Sequence, residues 1–301
     1  MNITADQPVQ DIVHSGREKR LLQNGYGVVN VIEITAMGTQ TAAHELRFRF
    51  GENWTNFLSV VDERRLAEAT ASLAAVLGDL KGKSFLDVGC GSGIHSLAAV
   101  RLGASRVFSF DFDLQSVECT KQMKQRFAQE SNWHIETGSV LDEGYLRQIG
   151  SFDVVYSWGV LHHTGNMWKA LELVTIPAQN RLFISIYNDQ GWKSRFWQWY
   201  KRTYNRMTRP IQRLMEASVF FWTWVKPFFF HYRGTRKRWK EYVKSRGMSP
   251  WYDVVDWAGG YPFEVATPEA LESFFQKRGF NLHYSDIRGY GLCNDFVFVR
   301  T

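Results

Sequence analysis

The sequence SFLDVGCGSG, residues 84–93, decides the fold expected for this chain. Its first seven residues are largely apolar and have the length of one buried strand. A turn with three glycines follows directly, and residues 94–103 then show helical periodicity that ends at a glycine. A strand joined to a helix by such a turn is the opening unit of an open α/β sheet, in which the free N–H groups of the helix lie at the sheet edge.

The same alternation of short apolar runs and helical segments continues along the chain. Further strands are expected at 106–113, 134–140, 152–158 and 181–187, with helices at 114–129 and 166–174. A last helix at 267–279, with Thr267 as N-cap, Pro268 at its first position and Gly279 as C-cap, precedes two closing strands. This order predicts an α/β fold: a Rossmann-like, doubly wound, mostly parallel sheet with helices on both faces.

Four segments follow from this pattern. Residues 1–79 are expected to form an N-terminal extension, with a strand at 29–34 and a helix within 52–78. Residues 80–190 form the core, 191–258 an aromatic and basic helical cap insertion, and 259–301 the closing helix and strands of the core.

Composition favours a cytoplasmic globular protein. The chain has 301 residues, of which 45% are hydrophobic and 22% charged. Its three cysteines form no CxxC pair and no cluster with histidine, which favours a reducing compartment and predicts neither a disulfide framework nor a metal site. The N-terminal residues lack the apolar region of a secretory signal, and no apolar run reaches the roughly 20 residues that span a bilayer.

The spacing of the glycine turn indicates which ligand it suits. Its pattern is GxGxG, preceded two residues earlier by Asp87, whereas a dinucleotide site has GxGxxG. A carboxylate there would repel a pyrophosphate but suits a ligand that carries an ammonium and a sulfonium. Asp111, eighteen residues after Gly93, ends the second expected strand, where an acid can accept both hydroxyls of a ribose. The alternative is a tight structural turn and a solvated acid.

DVGCGSG (87–93), followed by SFDFD (109–113), TGSVLD (137–142) and FDVVYSWGVLHHTG (152–165), resembles the class I S-adenosylmethionine-dependent methyltransferases. The branch with ubiquinone- and menaquinone-biosynthesis methylases is most similar. The resemblance implies S-adenosylmethionine as the cofactor, with its methionine part held by Asp87, Gly89, Gly91 and Gly93. It also implies that Asp111 binds the ribose, that Phe112, Ser139, Val140 and Asp142 contact the adenine, and that Ser157 and Trp158 lie near the sulfur.

Three residues are candidates for the chemistry. His162 and His163 follow the fourth strand, and Asp189 follows the fifth, so all three are expected at the carboxyl edge where open α/β sheets bind ligands. One histidine could take the proton of an acceptor hydroxyl, with His162 the first choice, and Asp189 could orient that hydroxyl. The alternatives are that both histidines stabilise the loop and that Asp189 belongs to a turn.

The stretch from 192 to 250 combines aromatic and basic residues, with fifteen Lys and Arg against two Glu. On a helix over 192–207 one broad arc is aromatic and most of the other is basic. The aromatic arc consists of Trp192, Phe196, Trp197, Trp199, Tyr200, Tyr204 and Met207, and the basic arc of Arg195, Lys201, Arg202 and Arg206.

Three functions fit such a segment. It could be a lid whose aromatic face packs on the core while its charges are solvated. It could be a peripheral membrane contact spanning residues 192–246. RNA binding by basic and stacking residues is the less favoured third interpretation.

Together these patterns predict methylation of a small or lipid-like acceptor, most simply a hydroxyl of phenol or quinol type. The alternatives are an RNA (tRNA) methyltransferase and a catalytically inactive, cofactor-binding partner subunit.

Overall fold

The computed structural model describes residues 58, 61–226, 250–288 and 292–301. The strand expected at 29–34, the first part of the helix expected within 52–78 and the basic stretch 233–246 lie outside these residues. No helix in the described part of the chain is long and apolar enough to cross a membrane.

The described residues form seven strands and nine α-helices. The strands are β1 Ser84–Val88, β2 Arg106–Asp111, β3 Trp133–Thr137, β4 Phe152–Trp158, β5 Ala178–Tyr187, β6 Phe280–Asp286 and β7 Cys293–Arg300. The helices are α1 Glu63–Leu77, α2 Ile94–Arg101, α3 Leu114–Phe127, α4 Glu143–Gln148, α5 Met167–Leu173, α6 Trp192–Tyr204, α7 Arg209–Phe220, α8 Pro250–Gly259 and α9 Pro268–Gln276. A 3₁₀ turn at Leu161–His163 and a π turn at Phe221–Val225 complete the pattern.

All seven strands lie in one sheet with the order β3-β2-β1-β4-β5-β7-β6. Neighbours among β1 to β5 are parallel, whereas β7 is antiparallel to both β5 and β6. The order 3-2-1-4-5 is that of a doubly wound Rossmann-type sheet. The expected Rossmann-like, mostly parallel fold is therefore confirmed.

Both faces of the sheet are covered, because successive side chains of a strand point to opposite sides. Phe85 packs in an apolar cluster with α1, α2 and α3, whereas its neighbour Leu86 packs in a second cluster with α4, α5 and α9. Both side chains are fully buried. Burying one side chain of this size stabilises a fold by about 1.5–3 kcal/mol, so β1 contributes to the packing of both helical layers.

The ends of α9 confirm one expected cap and correct another. Thr267 is the N-cap, and its side chain accepts a hydrogen bond from the Ala270 N–H at 3.2 Å. The expectation that Gly279 is the C-cap is wrong, because the helix ends at Gln276 with Lys277 as its cap. Gly279 has a φ of 77° and instead turns the chain into β6. Helix α4 was not expected, since six residues are too few to show a period.

Three helices lie between β5 and α9 in the described residues. Val219 of α7, Trp224 of the π turn and Val254 of α8 form a small apolar cluster, and Trp197 and Tyr200 of α6 pack against it. Helix α8 ends at Gly259. That these helices form a cap over the site stays a prediction, as do the four segment boundaries.

Candidate functional site

The glycine turn after β1 and the acid at the end of β2 meet directly. The Gly91 N–H donates to Asp111 Oδ2 at 3.0 Å, and the Asp113 N–H donates to Asp111 Oδ1 at 2.9 Å. The Asp111 side chain is half-buried, which leaves it accessible at the carboxyl edge of the sheet. That these two positions bind the cofactor stays a prediction.

Two glycines of the turn are required by packing within the protein. Gly89 has a φ of 76°, and a Cβ there would lie 2.4 Å from a methyl of Val160. Gly93 has a φ of 77° and is the N-cap of α2, and a Cβ there would lie 2.8 Å from the Thr120 methyl of α3. The sequence argument assigned these glycines to close approach of a ligand. The structure adds that they also let the loop after β4 and helix α3 pack on the turn.

Asp87 lies below the turn at the end of a buried hydrogen-bond chain. The Trp133 indole N–H donates to Ser109 at 2.8 Å, the Ser109 and Ser96 hydroxyls are 2.7 Å apart, and Ser96 Oγ donates to Asp87 Oδ2 at 2.5 Å. Only 3% of Asp87 is exposed. Burial raises the pKa of its carboxyl to about 7, although the Ser96 hydrogen bonds oppose that shift. The neighbouring Asp111 carboxylate acts in the same direction as burial.

The residues expected beside the adenine differ in accessibility. Phe112 is 39% exposed at the end of β2, whereas Val140 is buried in the apolar core. Asp142 is the N-cap of α4 and accepts from the Tyr145 N–H at 3.0 Å. Helix capping therefore explains why an acid stands at this position. Ser139 accepts from the Leu141 N–H at 3.2 Å. Contact of these residues with adenine stays a prediction.

Two neighbours at the end of β4 point in opposite directions. Ser157 is fully buried and its hydroxyl donates to the Val88 carbonyl at 3.1 Å, so its side chain joins β4 to β1. Trp158 is 41% exposed, and its ring lies 5.8 Å from that of His95, the second residue of α2. Burial lowers the pKa of His95 to about 4. Of the pair expected near the sulfur, only Trp158 has a side chain that reaches solvent.

The adjacent histidines have different surroundings. His162 is fully buried, neither of its ring nitrogens makes a hydrogen bond within the described residues, and its ring lies 4.2 Å from that of Tyr187. Burial lowers its pKa well below the usual value, so the ring is neutral. His163 Nδ1 lies 2.6 Å from the Pro262 carbonyl oxygen, which places the proton on Nδ1. His162 would have to become accessible before it could act as a base.

Residues 262–266 are hydrogen-bonded both to the loop after β4 and to the residues that follow β5. The Glu264 N–H donates to the His162 carbonyl at 3.0 Å, and both Glu264 carboxylate oxygens accept from the Met167 N–H at 3.0 and 3.1 Å. The Asp189 N–H donates to the Ala266 carbonyl at 3.1 Å. Glu264 therefore caps the N-terminus of α5 from a distant part of the chain, and burial raises its pKa.

A cavity of about 340 Å³ lies beside this segment at the carboxyl edge. Asp189 lines it and is exposed, and its Oδ1 accepts from the Gly191 N–H at 2.8 Å. Of the three residues expected to act in the chemistry, only Asp189 lines this cavity. Trp168, Gln198 and Glu264 also line the cavity and were not expected from the sequence. No local motif marks them, because they come from three separate segments.

Lys201 corrects the expected division of α6 into aromatic and basic arcs. Its side chain is fully buried, its ammonium donates to the Trp257 carbonyl, and it lies 4.1 Å from the centre of the Trp257 ring and 4.9 Å from that of Phe263. A cation over aromatic faces is stabilised electrostatically. The expectation that the basic residues of this helix are all solvated is therefore wrong.

The carboxyl groups and aromatic side chains at the carboxyl edge fit a nucleoside with a cationic tail. The Asp111 carboxylate is half-buried at this edge, and Phe112 and Trp158 expose aromatic surface at the ends of β2 and β4. The carboxyl of Asp87 is next to the same turn. Within the described ranges, no group of three His, Cys, Asp or Glu side chains is placed to hold a metal ion.

Comparison with known families and structures agrees with this geometry. The family model for ribosomal protein L11 methyltransferases (PrmA) matches residues 69–157, from within α1 to the end of β4. The magnesium protoporphyrin IX methyltransferase of Synechocystis PCC 6803, solved with bound S-adenosylhomocysteine, is 16% identical with a TM-score of 0.52 over 87% of this chain and 100% of that one. PKMT2 from Rickettsia typhi is also 16% identical, with a TM-score of 0.51 over 77% of this chain and 52% of that one.

The family match over residues 69–157 and the shared fold agree with the expected enzyme class, a methyltransferase, and with S-adenosylmethionine as the expected cofactor. The expected likeness to quinone-biosynthesis methylases stays a prediction.

The particular relatives are ribosomal protein L11 methyltransferases. That of Tolumonas auensis is 52% identical over 48 residues, which is 16% of this chain and 16% of the relative. That of Legionella pneumophila strain Lens is 56% identical over 43 residues, or 14% of this chain and 15% of the relative. The chain thus matches about one sixth of the length of the curated relatives.

Proposed function

We propose that this protein transfers the methyl group of S-adenosylmethionine to an acceptor bound in the cavity beside Asp189. The observation that carries the proposal is the contact between Gly91 and Asp111, which brings the glycine turn and the ribose-binding acid together at one edge. The family match over residues 69–157 supports the same cofactor.

Each part of the cofactor has a proposed partner in the chain. Gly89, Gly91 and Gly93 would accommodate the methionine part beside Asp87, and Asp111 would accept the ribose hydroxyls. Phe112 would lie against the adenine, near the segment 139–142, and Trp158 would lie near the sulfur. When bound, the cofactor supplies an electrophilic methyl group on a sulfonium. The contribution of the protein is to hold the acceptor in line with it, which is worth about 7–11 kcal/mol in well-oriented reactions.

The acceptor we propose is a small or lipid-like molecule with a hydroxyl group of phenol or quinol type. A cavity of about 340 Å³ is within the usual range for small-molecule sites. Trp168 and Phe263 provide aromatic walls, and Asp189 provides an exposed carboxylate that can accept the hydroxyl proton. By the sheet order, β4 with Trp158 lies between the glycine turn after β1 and Asp189 after β5. Cofactor and acceptor sites are therefore on neighbouring strands.

A protein acceptor is the second candidate, and the match to ribosomal protein L11 methyltransferases favours it. That match ends with β4 and contains none of the residues that line the cavity. It therefore bears on cofactor binding more directly than on the acceptor. RNA methylation and an inactive partner subunit are the remaining alternatives from the sequence.

The proposal is tested by binding and transfer with the full chain. Calorimetric titration should show that S-adenosylhomocysteine binds and that NAD does not. Transfer of a labelled methyl group should then be measured to a panel of phenols and quinols, to a ribosomal protein L11 and to tRNA. Failure to bind S-adenosylhomocysteine would refute the cofactor site, binding without any transfer would favour the inactive subunit, and transfer to L11 alone would replace the proposed acceptor.

Asp189→Asn tests the role of the cavity carboxylate in turnover independently of cofactor binding. If Asp189 accepts the proton, turnover should fall by about 10²–10⁴-fold while the affinity for S-adenosylhomocysteine stays the same. Glu118→Gln, an exposed change on α3, is the matched control and should alter neither. Unchanged turnover in Asp189→Asn would leave His162 or His163 as the base.

A further inference from the structure

Helix α6 carries an exposed aromatic stripe on the side that faces away from its buried residues. Trp192, Phe196 and Trp199 are 68%, 46% and 61% exposed, and their spacing of four and three residues places them on one face. The buried side of the helix is formed by Ser194, Lys201 and Tyr204. This distribution differs from the expected lid, in which the whole aromatic arc packs on the core.

Helix α7 and the π turn that follows it continue the apolar surface. Ile211 and Leu214 are 44% and 72% exposed, and Phe221 and Trp222 are 46% and 61% exposed. Tyr200 of α6 links the two helices, because its hydroxyl donates to the Met215 carbonyl at 2.8 Å. Seven of the fifteen large apolar side chains that are exposed in the described residues fall between 192 and 222. An apolar surface of this extent is unusual unless it meets another apolar phase.

The charges around this surface are almost all positive. Residues 192–226 contain eight Lys and Arg and a single Glu. That residue, Glu216, is buried, accepts from the Tyr204 hydroxyl at 2.6 Å and pairs with Arg213 at 3.4 Å, so it offsets only one of these cations. Lys226 lies 3.9 Å from the centre of the Trp222 ring. The exposed surface of α6 and α7 is therefore apolar with a positive border.

We infer that the exposed face of α6, α7 and the π turn docks on a bilayer surface that contains anionic lipids. Tryptophan and phenylalanine bordered by arginine and lysine is the composition of helices that lie in the membrane interface. Positive charge complements anionic headgroups, and the aliphatic Ile211 and Leu214 are suited to acyl chains but offer no ring on which a base could stack. A bilayer is therefore favoured over a single-stranded nucleic acid.

The docking face is next to the cavity on the same helix. Ser194, Arg195 and Gln198 of α6 line the cavity, while Trp192, Phe196 and Trp199 project from the adjacent side. This arrangement would bring an acceptor that resides in a bilayer close to the cavity entrance. The docking inference itself does not depend on the proposed reaction, since it rests on exposure and charge alone.

The test is flotation of the purified full chain with two kinds of vesicles, phosphatidylcholine alone and phosphatidylcholine mixed with phosphatidylserine. The protein should float with the mixed vesicles and much less with the neutral ones. Trp199→Ser and Trp222→Ser should each lower the partition coefficient by roughly tenfold, because each removes a large apolar group from the interface. Arg202→Gln combined with Arg206→Gln should lower it for mixed vesicles only, by about fivefold for each charge.

The matched control is Tyr284→Ser, an aromatic residue that is 41% exposed on the edge strand β6. It should float like the unchanged protein, and all variants should retain their affinity for S-adenosylhomocysteine, which shows that they fold. Equal loss in Tyr284→Ser, or no flotation of the unchanged protein with mixed vesicles, would overturn the inference. Binding only to a labelled single-stranded RNA, with steep loss as salt rises, would overturn it in favour of nucleic acid.

Discussion

Asp87 and Asp111 border the same glycine turn, but their surroundings give them different chemistry. Asp87 is almost fully buried and bonded to Ser96 of α2, so its first role is to hold the start of that helix against β1. Asp111 is half-buried and accepts from two backbone N–H groups. We therefore expect Asp111 to have the larger direct part in ligand recognition and Asp87 to shape the turn.

Replacing Asp111 tests its role in the affinity for the cofactor. Asp111→Ala removes hydrogen bonds to a charged acceptor, each worth about 1.5–3 kcal/mol, so the dissociation constant of S-adenosylhomocysteine should rise about 10- to 100-fold. Asp113→Ala is the control, because Asp113 is the N-cap of α3 and accepts from the Gln115 N–H at 2.8 Å. It should cost about 1 kcal/mol of stability and leave the affinity unchanged. Equal effects of the two changes would contradict the assignment.

The raised pKa of Asp87 predicts a particular pH dependence of stability. The folded protein holds this proton up to about pH 7, whereas in the unfolded chain it is lost near pH 3.8. The folded state therefore binds more protons in between, and the free energy of unfolding should fall as pH rises from about 4 to 7. Asp87→Asn keeps an acceptor for Ser96 but does not titrate.

Urea unfolding of the two proteins at several pH values measures this difference. The stability of Asp87→Asn relative to the unchanged protein should increase steadily across that window. A constant difference would show that Asp87 is already ionised in the folded state.

At the scale of elements, the glycine turn is the point where β1, α2 and α3 are held together. The N-terminus of α2 begins at Gly93, and Thr120 of α3 packs against it while its hydroxyl donates to the Gly91 carbonyl at 3.1 Å. The turn is thus fixed by helix packing before any ligand binds. Such preorganisation lowers the entropy that a ligand must lose on binding.

Gly93→Ala should destabilise the protein by more than the cost of placing an alanine at a positive φ. The positive φ costs an alanine about 1 kcal/mol or more, and the close approach to Thr120 should add about 1–3 kcal/mol. Gly82→Ala is the matched control, because Gly82 has a φ of 76° and nothing within 4 Å of the added Cβ. Thermal unfolding should show a clearly larger loss for Gly93→Ala. Equal losses of thermal stability in the two variants would mean that α3 moves away from the added Cβ at no energetic cost.

Helix α6 shows what a helical period can and cannot indicate. The amphipathic pattern predicted a helix from residue 192, and the structure has one at Trp192–Tyr204. The pattern could not indicate which residues face the protein, because aromatic rings suit both a core and an exposed interface. Lys201 became buried through the ring and carbonyl of Trp257, a residue 56 positions later that no local pattern connects to it.

At the scale of the whole molecule, the parallel half of the sheet could be predicted from the sequence. It depends on short units in which a strand, a turn and a helix follow each other along the chain. The cavity could not be predicted, since Met167, Asp189, Arg195 and Glu264 come from separate segments. The burial of His162 depends on Tyr187 and on the segment 262–266, and no local pattern connects either of them to His162.

The position of β7 has a consequence for how the molecule is made. Residues 293–300 form a strand in the interior of the sheet, paired on one side with β5 and on the other with β6. A ribosome releases the glycine turn and the first five strands long before it reaches residue 293. Until then β5 presents an unpaired edge, the kind of surface on which other chains can add. Completion of the sheet is therefore a late event in synthesis, and the nascent chain depends on timing, or on a chaperone, to protect that edge.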